Sequence, residues 1–500
     1  MKPLLLFVRP PRPLWPLNGP ASAFWPPLAF ASLAAAVREQ VQEVRVEILD
    51  AAALQMGWRS LEAELRRREP FCVGLGEEAV SCVEALRLAR LARQRGAHVI
   101  AGGCFFGHVG REVLQTGLVD AVVHGEGEET VVELIQALLD TADSRHTVRG
   151  ISYRRGEEIV TTAPRELIAD LDTLPMPAYD LLPVERYGAN SRNHPRLAAI
   201  ELGRGCVGAC DFCVLWRQMG RTVNGRTTPH YRAKSAPRLL EEVRRLVRRF
   251  DRGWLGWVDP TFNADPNVPG QLAEAMLREG LQLGQGAWVR ADGILRDAAS
   301  GALALCVRAG LREVYLGVER TDEASLRAMG KTVSFGAAQE AVRVLNERFP
   351  EVLTVGSFIY GLPGDTPATM RAMHRQADVM GLDAAFFIPH TPLPGTTGWQ
   401  ASAWDASGEA FRQFAFLPIF RAGHPLARLE RALFFSLLLN WNTDRLRCYL
   451  GGLRQKDRRR RRLNRRLKAR GAALHWRLFV AGLFGARDQT GLVFPSWYEE

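Results

Sequence analysis

The sequence has few cysteines and no long apolar segment. Eight cysteines occur in 500 residues, at positions 72, 82, 104, 206, 210, 213, 306 and 448. For a chain of 500 residues in which no export signal is recognised, we expect a cytoplasmic protein with reduced thiols. No run reaches the ~18 apolar residues of a membrane-spanning helix. The start, MKPLLLFVRPPRP, has an apolar run shorter than the ~7–15 residues of a signal peptide.

Acidic residues are in deficit, but only in one segment. Lys and Arg number 65 against 54 Asp and Glu, a formal net charge of +11. Residues 454–470 (RQKDRRRRRLNRRLKAR) hold 11 basic side chains and one acid, so the rest of the chain is close to neutral. A local basic segment indicates a solvated helix, a contact to an anionic membrane or an RNA contact. Nucleic acid is therefore not favoured as a partner of the whole protein.

A first series of strands alternating with helices predicts a doubly wound, Rossmann-like α/β domain over residues 1–145. Its strands are predicted at Leu4–Val8, Val44–Leu49, Cys72–Leu75, His98–Ala101 and Ala121–Val123. A ligand of such a domain lies at the carboxyl ends of the strands. Two Gly-rich loops, AGGCFFGH at 101–108 and HGEGEE at 124–129, fall at that edge.

A second series begins near residue 198, after a linker over 146–195 whose proline-containing segment Leu171–Leu182 predicts a covering strap. Its strands are predicted at Ala198–Leu202, Trp254–Val258, Ala287–Val289, Glu313–Val318, Val355–Tyr360 and Ala385–Pro389. These units resemble most of a TIM-type barrel, a partial (β/α)6 barrel over 196–400. Residues 401–500 are predicted to be helical and arginine-rich.

The strongest local signal is Cys206-Val-Gly-Ala-Cys210-Asp-Phe-Cys213, after the first strand of the predicted barrel. The C-x3-C-x2-C spacing brings three thiolates together in one loop. Three cysteines on a [4Fe–4S] cluster leave one iron open for a substrate or cofactor. A closed zinc site would need a fourth ligand such as His230. A thioredoxin-like pair would use Cys210 and Cys213 and leave Cys206 unexplained.

This motif, with the aromatic Phe212 before the third cysteine, resembles that of the radical S-adenosylmethionine (SAM) enzymes. The resemblance covers residues 198–400. It implies that the open iron chelates SAM, and that an electron from the cluster cleaves SAM to a 5′-deoxyadenosyl radical. It also implies an electron donor of the flavodoxin or ferredoxin type.

The resemblance assigns SAM-binding roles at the ends of later strands. Asp259 stands where the family often has a Gly-Gly-Glu-Pro-like stretch, although the glycines are missing here, and a capped turn is the alternative. Glu319 would bind the ribose hydroxyls or the ammonium group, or else form a surface ion pair. Arg290 would meet the carboxylate of SAM, or else form a structural salt bridge. Gly361 and Gly364 would let the backbone approach the adenine.

A doubly wound domain ahead of such a barrel resembles the cobalamin-binding subclass of these enzymes. The chain lacks the Asp-x-His-x-x-Gly motif that supplies a lower axial histidine, and His108 either approaches the corrin or is an ordinary loop residue. A Rossmann-like domain without its ligand is the alternative. The resemblance implies that cobalamin faces the barrel mouth and contacts Gly102, Gly103, Gly125, Glu126 and Gly127.

The resemblance as a whole implies a cobalamin-dependent radical SAM C-methyltransferase acting on an unactivated carbon of a small molecule. An oxidative cyclase or rearrangement enzyme of the same architecture is the alternative. A tRNA methylthiotransferase is a third reading, in which Cys72, Cys82 and Cys104 would bind a second cluster.

The substrate is expected to be large and apolar or planar, a tetrapyrrole or a polycyclic terpenoid first. Residues 18–35 resemble the first loop and helix of enzymes acting on such molecules, and aromatic residues cluster near the start at Trp15, Phe24 and Trp25. Core packing is the alternative role for these aromatics. The basic segment, followed by the apolar stretch 474–484, resembles an interfacial membrane element. A peripheral contact at the inner face of the membrane is therefore one interpretation of it, beside a solvated surface helix and an RNA contact.

Overall fold

The computed structural model describes residues 2–12, 25–76, 81–189, 191–399, 426–439, 443–455, 457–483 and 495–500. Trp15 and Phe24 lie outside these ranges. The described chain forms a seven-stranded sheet, then a six-stranded parallel sheet, then helices.

The N-terminal sheet consists of β1 (Leu4–Arg9), β2 (Arg45–Asp50), β3 (Cys72–Leu75), β4 (His98–Ala101), β5 (Ala121–Val123), β6 (Ile151–Arg155) and β7 (Glu158–Thr161). The strand order is β2-β1-β3-β4-β5-β6-β7. The first five strands are parallel, and β6 and β7 form an antiparallel hairpin at the edge. The order reverses between β1 and β3, which is where doubly wound sheets bind ligands.

Helices cover both faces of this sheet because its central strands are apolar on both sides. Leu5 and Phe7 of β1 pack in one hydrophobic cluster, whereas Leu4 and Leu6 pack in another. The prediction of a doubly wound domain is confirmed. The helices are α1 (Leu28–Gln40), α2 (Ala51–Leu54), α3 (Trp58–Arg68), α4 (Cys82–Arg93), α5 (Gly103–Phe106), α6 (Gly110–Gln115) and α7 (Glu128–Leu139).

The central sheet is an open barrel of six parallel strands in the order β8-β13-β14-β15-β16-β17. These strands are β8 (Leu197–Ile200), β13 (Trp254–Trp257), β14 (Gly284–Val289), β15 (Leu311–Glu319), β16 (Leu353–Tyr360) and β17 (Ala384–Pro389). Short antiparallel strands follow β8, namely β9 (Gly203–Gly205), β10 (Arg221–Val223), β11 (Arg226–Thr228) and β12 (Tyr231–Ala233). All six predicted strands are present, and the partial barrel is confirmed.

The helices of this unit are α8 (Leu215–Gln218), α9 (Ala236–Arg248), α10 (Val268–Arg278), α11 (Ala291–Ser300), α12 (Ala302–Ala309), α13 (Glu323–Ala328), α14 (Phe335–Arg348) and α15 (Pro367–Val379). The helical pattern of the sequence over 297–309 predicts a single helix there, and this prediction is wrong, because the structure divides the range between α11 and α12. Gly301 separates them with φ of 87°, a left-handed conformation that ends the first helix.

In the described part of the chain after the barrel, three helices are present: α16 (Ala427–Leu439), α17 (Thr443–Arg454) and α18 (Arg458–Leu483). The arginine-rich part of α18 docks on the amino ends of the barrel strands. Arg460 is fully buried, and its Nε donates to Asp383 Oδ2 over 2.7 Å. Arg459 donates to Glu313 over 2.8 Å. These two arginines therefore have a structural role that neither the solvated-helix nor the membrane reading foresaw. Among the described helices, none has the length and apolar character to cross a membrane.

Residues 495–500 return to the N-terminal domain. The backbone amides of Trp58 and Ser60, at the start of α3, donate to the carbonyls of Tyr498 and Glu500 over 3.1 and 2.8 Å. A helix start leaves such amides without intrahelical partners. A Cβ on Gly57 would lie 2.0 Å from the carbonyl oxygen of Trp497, so this contact requires glycine there.

Candidate active site

The three cysteines lie in the loop between β9 and α8, at the carboxyl end of the first barrel strand. All three are half-buried, as is Phe212. The indole of Trp216 donates to the carbonyl of Cys210 over 2.8 Å, and the amide of Asp211 donates to the carbonyl of Met329 over 2.9 Å. The loop is thus fixed from within and by the segment after α13.

Gly208 lies at the centre of this loop and leaves a concave space. A Cβ there would lie 3.8 Å from Cys206 Sγ, 3.9 Å from Cys210 Sγ and 2.8 Å from a terminal nitrogen of Arg290. The two sulfurs and the guanidinium therefore converge on a point that only glycine leaves free. Two converging sulfurs with a cation nearby, in a loop that also carries Cys213, fit a cluster that has one open iron.

The surroundings of the thiols disfavour a free thiolate, so a bound metal would be needed to stabilise the ionised form. Burial raises the pKa of Cys210 to about 11, and burial also raises the pKa of Cys213. Iron would offset this penalty, because metal ligation stabilises the thiolate. In the described part of the chain, no three His, Cys, Asp or Glu side chains lie close enough to hold a single metal ion. A four-iron cluster spaces its thiolates more widely than one ion does.

Asp259, just after β13, holds the base of the cysteine loop. Its carboxylate accepts from the amide of Leu202 over 3.0 Å and from the amide of Gly203 over 2.5 Å. Burial raises the pKa of Asp259 to about 7, although these two amides act in the opposite direction. The structure thus uses Asp259 to fix the turn from β8 towards Cys206. Its predicted contact with SAM stays a prediction.

Arg290 follows β14, and its position is compatible with both predicted roles, a contact with the carboxylate of SAM and a structural salt bridge. Its guanidinium pairs with Asp292 at 2.6 Å and donates to Thr332 over 3.2 Å. The same side chain reaches Gly208. A carboxylate ligand beside the cysteines would therefore meet a cation that is already oriented by a salt bridge.

Glu319 ends β15 in a left-handed conformation, with φ of 66°. A non-glycine residue rarely adopts this conformation outside functional or tightly constrained sites. Its carboxylate is buried and pairs with Lys331 at 3.3 Å, and burial raises the pKa of Glu319. The ion pair that was the alternative for Glu319 is therefore present, but it is buried at the carboxyl edge of the barrel. The predicted contact of Glu319 with SAM stays a prediction.

Gly361 and Gly364 follow β16, and both have positive φ, 89° and 90°. The amide of Gly361 donates to Asp365 over 2.7 Å, and Asp365 pairs with the buried Arg320 at 2.5 Å. A Cβ on Gly364 would meet no described atom within 4 Å. The backbone at Gly364 is therefore open to close approach by a flat group, and its predicted contact with the adenine stays a prediction.

The Gly-rich loops of the N-terminal domain lie at the ends of β4 and β5. Gly103 and Gly125 have positive φ, 83° and 69°, and no described side chain occupies the space beside Gly125. His108 is half-buried, and its Nε2 has no hydrogen-bond partner among the described residues. Its ring packs on Gly395, which follows β17, since a Cβ there would lie 2.7 Å from Nδ1. An unpartnered nitrogen in the loop after β4, at the same end of the sheet as the open space at Gly125, fits a bound cofactor there.

Glu126 has protein partners that sequence reasoning missed. It pairs with Arg232 at 2.9 Å and with Arg204 at 3.0 Å, and it accepts from the amide of Ile168 over 2.7 Å. Arg204 also pairs with Glu128 at 2.6 Å. All four charged groups are buried. The carboxylate assigned to cobalamin thus joins the carboxyl edges of the two sheets.

The alternative cluster of Cys72, Cys82 and Cys104 does not match the fold. Cys72 is the first residue of β3, whereas Cys104 follows the carboxyl end of β4. Because β3 and β4 are parallel neighbours, the two cysteines lie at opposite ends of the strands. Cys72 and Cys82 are fully buried. They are small core residues.

Two family models match the chain, and they match different parts of it. The model of the Radical SAM superfamily matches residues 200–377, which form most of the barrel. The model of the B12 binding domain matches residues 15–135, which belong to the N-terminal sheet and its helices.

Curated relatives extend over both units. An uncharacterized methyltransferase of Pyrococcus horikoshii is 28% identical over 75% of this chain and 78% of its own. The anaerobic magnesium-protoporphyrin IX monomethyl ester cyclase of Cereibacter sphaeroides is 27% identical over 75% of this chain, which spans only 60% of the cyclase. The hopanoid C-3 methylase of Methylococcus capsulatus is 26% identical over 78% of this chain and 71% of its own.

A solved structure shares the whole architecture. The radical S-adenosylmethionine methyltransferase TsrM from Kitasatospora setae, with cobalamin and a [4Fe–4S] cluster bound, superposes with a TM-score of 0.65. The match covers 96% of this chain and 100% of that chain at 17% identity. At that identity the likeness establishes the fold.

Proposed function

Because this chain belongs to the radical SAM enzymes that carry a B12-binding domain, we propose that it transfers a methyl group to an unactivated carbon of a large, apolar or planar small molecule. When bound, the cluster with SAM would supply radical chemistry for hydrogen abstraction, and cobalamin would supply the methyl group. An electron donor of flavodoxin or ferredoxin type is part of this proposal.

The observation that carries the proposal is that the carboxyl edges of the two sheets meet. Arg204 lies two residues before Cys206 and pairs with Glu126 and Glu128, which follow β5. His108, after β4, packs on Gly395, after β17. Two cofactors held at these edges would face one enclosed space, and the substrate carbon must reach both.

The residues of the chain have separate roles in this proposal. Cys206, Cys210 and Cys213 bind the cluster, and Arg290 orients a carboxylate beside it. Gly364 admits the adenine. The buried ion pairs between the domains fix the distance between the two cofactor sites and exclude water from the space between them.

An oxidative cyclase is the second candidate, because a protoporphyrin cyclase is among the relatives. Anaerobic holoenzyme incubated with SAM labelled in its methyl group distinguishes the two. The test substrates are a pentacyclic triterpene and a magnesium tetrapyrrole, and the products are analysed by mass spectrometry. Methyl transfer leaves the label in the product, whereas cyclisation gives an unlabelled product that has lost hydrogen.

Cys210→Ala is the matched control and should form no 5′-deoxyadenosine. A purified protein that binds zinc but no iron would contradict both candidates.

A further inference from the structure

The barrel has an outer face, which packs on its helices, and an inner face. Val314 of β15 belongs to the hydrophobic cluster shared with the outer helices, whereas its neighbour Tyr315 packs in a separate cluster with Leu463 of α18. Residues paired between parallel strands point to the same face of a sheet. Tyr315 is paired with Trp288 of β14, so Trp288 also points to the inner face.

Two adjacent strands have glycine on this inner face. Gly256 of β13 is paired with Gly286 of β14, two positions before Trp288. The interior of a closed eight-stranded barrel is filled by layers of bulky side chains, whereas this barrel has six strands and is open. A Cβ on Gly256 would lie 1.9 Å from the indole ring of Trp25. The indole of Trp25 therefore occupies the space that this glycine leaves.

Trp25 reaches the barrel from the N-terminal domain. Its carbonyl accepts from the guanidinium of Arg9 over 2.6 Å, at the end of β1. Arg9 pairs with the buried Asp50, which also accepts from the hydroxyl of Tyr187 over 2.6 Å. The backbone of Trp25 is thus held at the point where the strand order reverses, while its ring lies against the barrel.

The inner face is apolar and open near its carboxyl end. Trp25 is 44% exposed, Trp288 is 40% exposed and Val258, just after β13, is 39% exposed. Glu313, also on this face, is buried at the amino end, where His194 and Arg459 bind its carboxylate. Exposed aromatic side chains inside a concave site are typical of ligand binding.

We propose that Trp25 and Trp288 together bind the apolar ring system of the substrate, and that Trp25 determines which ring systems fit. The proposal rests on the proposed function, because it places the substrate between the two cofactor edges. Two indoles from different domains suit a rigid, flat polycycle, which keeps its apolar faces against both rings. A planar tetrapyrrole and a fused-ring terpenoid share this chemistry.

Equilibrium dialysis of the holoenzyme tests the proposal without turnover. The probes are protoporphyrin IX, a pentacyclic triterpene delivered from cyclodextrin, and L-tryptophan as a small aromatic, with bound probe measured by mass spectrometry. The variants are Trp25→Ala and Trp288→Ala. Trp25→Phe keeps a ring on Gly256, and Trp476→Ala is the matched control because Trp476 is 61% exposed on α18.

We expect one polycycle to bind and L-tryptophan not to be retained. Each alanine variant on the inner face should weaken binding roughly tenfold, and Trp25→Phe should restore most of it. The polycycle retained identifies the source of the ring system. Retention of neither polycycle, equal affinity in Trp25→Ala and the wild type, or equal weakening by Trp476→Ala would each overturn the proposal. The dialysis measures binding and not methyl transfer. An enzyme that binds the polycycle through Trp25 but transfers no methyl group in the labelled-SAM assay would therefore contradict only the proposed function.

Discussion

Replacing Arg204 by methionine removes the cation that joins two carboxylates of the N-terminal domain to the barrel. Its guanidinium bonds to Glu126, Glu128 and Glu201 at 2.6 to 3.2 Å. Burial alone would lower the pKa of Arg204, but the carboxylates of Glu201 and Glu128 raise it above its ordinary value. The arginine is therefore charged, and its loss leaves buried negative charges next to one another.

Breaking a buried ion pair by removing one partner costs about 3–5 kcal/mol, because the remaining charge is buried without compensation. For a unit the size of the barrel, each kcal/mol shifts the melting temperature by about 2–4 °C. We therefore expect Arg204→Met to lower the melting temperature by roughly 6–20 °C. Adding Glu128→Gln should recover part of this loss, since it removes one of the stranded charges.

Differential scanning calorimetry of the wild type and the variants measures this effect. Arg343→Met is the matched control, because Arg343 also bonds to two glutamates, Glu340 and Glu347, but on the exposed surface of α14. Exposed pairs contribute little to stability, so its melting temperature should match that of the wild type. If Arg204→Met melted together with Arg343→Met, the reasoning that the buried pairs hold the domains together would be wrong.

Three further predictions concern other parts of the molecule. Because burial raises the pKa of Asp259 to about 7, the folded protein keeps a proton that the unfolded chain loses near pH ~4. The free energy of unfolding should therefore fall by up to about 4 kcal/mol between these values as pH rises, and Asp259→Asn should flatten that decline in calorimetric scans across pH. Gly57→Ala should displace residues 495–500 and speed their cleavage by proteinase K, whereas Gly336→Ala, whose Cβ would lie 4.0 Å from Ser334 Oγ, should not. Arg460→Leu should lower the urea midpoint because the arginine is buried, and the exposed Arg462→Leu should leave it unchanged.

The strands and the cysteine site were predictable because their signals are local. Leu4–Val8 is a continuous apolar run, and the spacing of Cys206, Cys210 and Cys213 is legible without any knowledge of the fold. The division between α11 and α12 had a local signal too, in the glycine at position 301, but the apolar periodicity on both sides masked it.

Contacts between distant residues had no such signal. Glu126 and Arg232 are 106 positions apart, and nothing in the glycine-rich loop indicates that its carboxylate turns towards the barrel rather than towards a cofactor. In the run of arginines in 458–462, only the docking geometry of α18 decides that Arg460 is buried while Arg462 is exposed. Charge density alone assigned both to the surface.

The docking of α18 has a consequence for how the protein is made. The last barrel strand ends at Pro389, and α18 begins 69 residues later, at Arg458. At ~5–20 residues per second, the amino end of the barrel waits roughly 3–14 s for the helix that covers it. During that interval Glu313 and Asp383 are without the arginines that bind them in the finished protein. A ribosome that pauses in this stretch would prolong the exposure of an open barrel to chaperones and proteases.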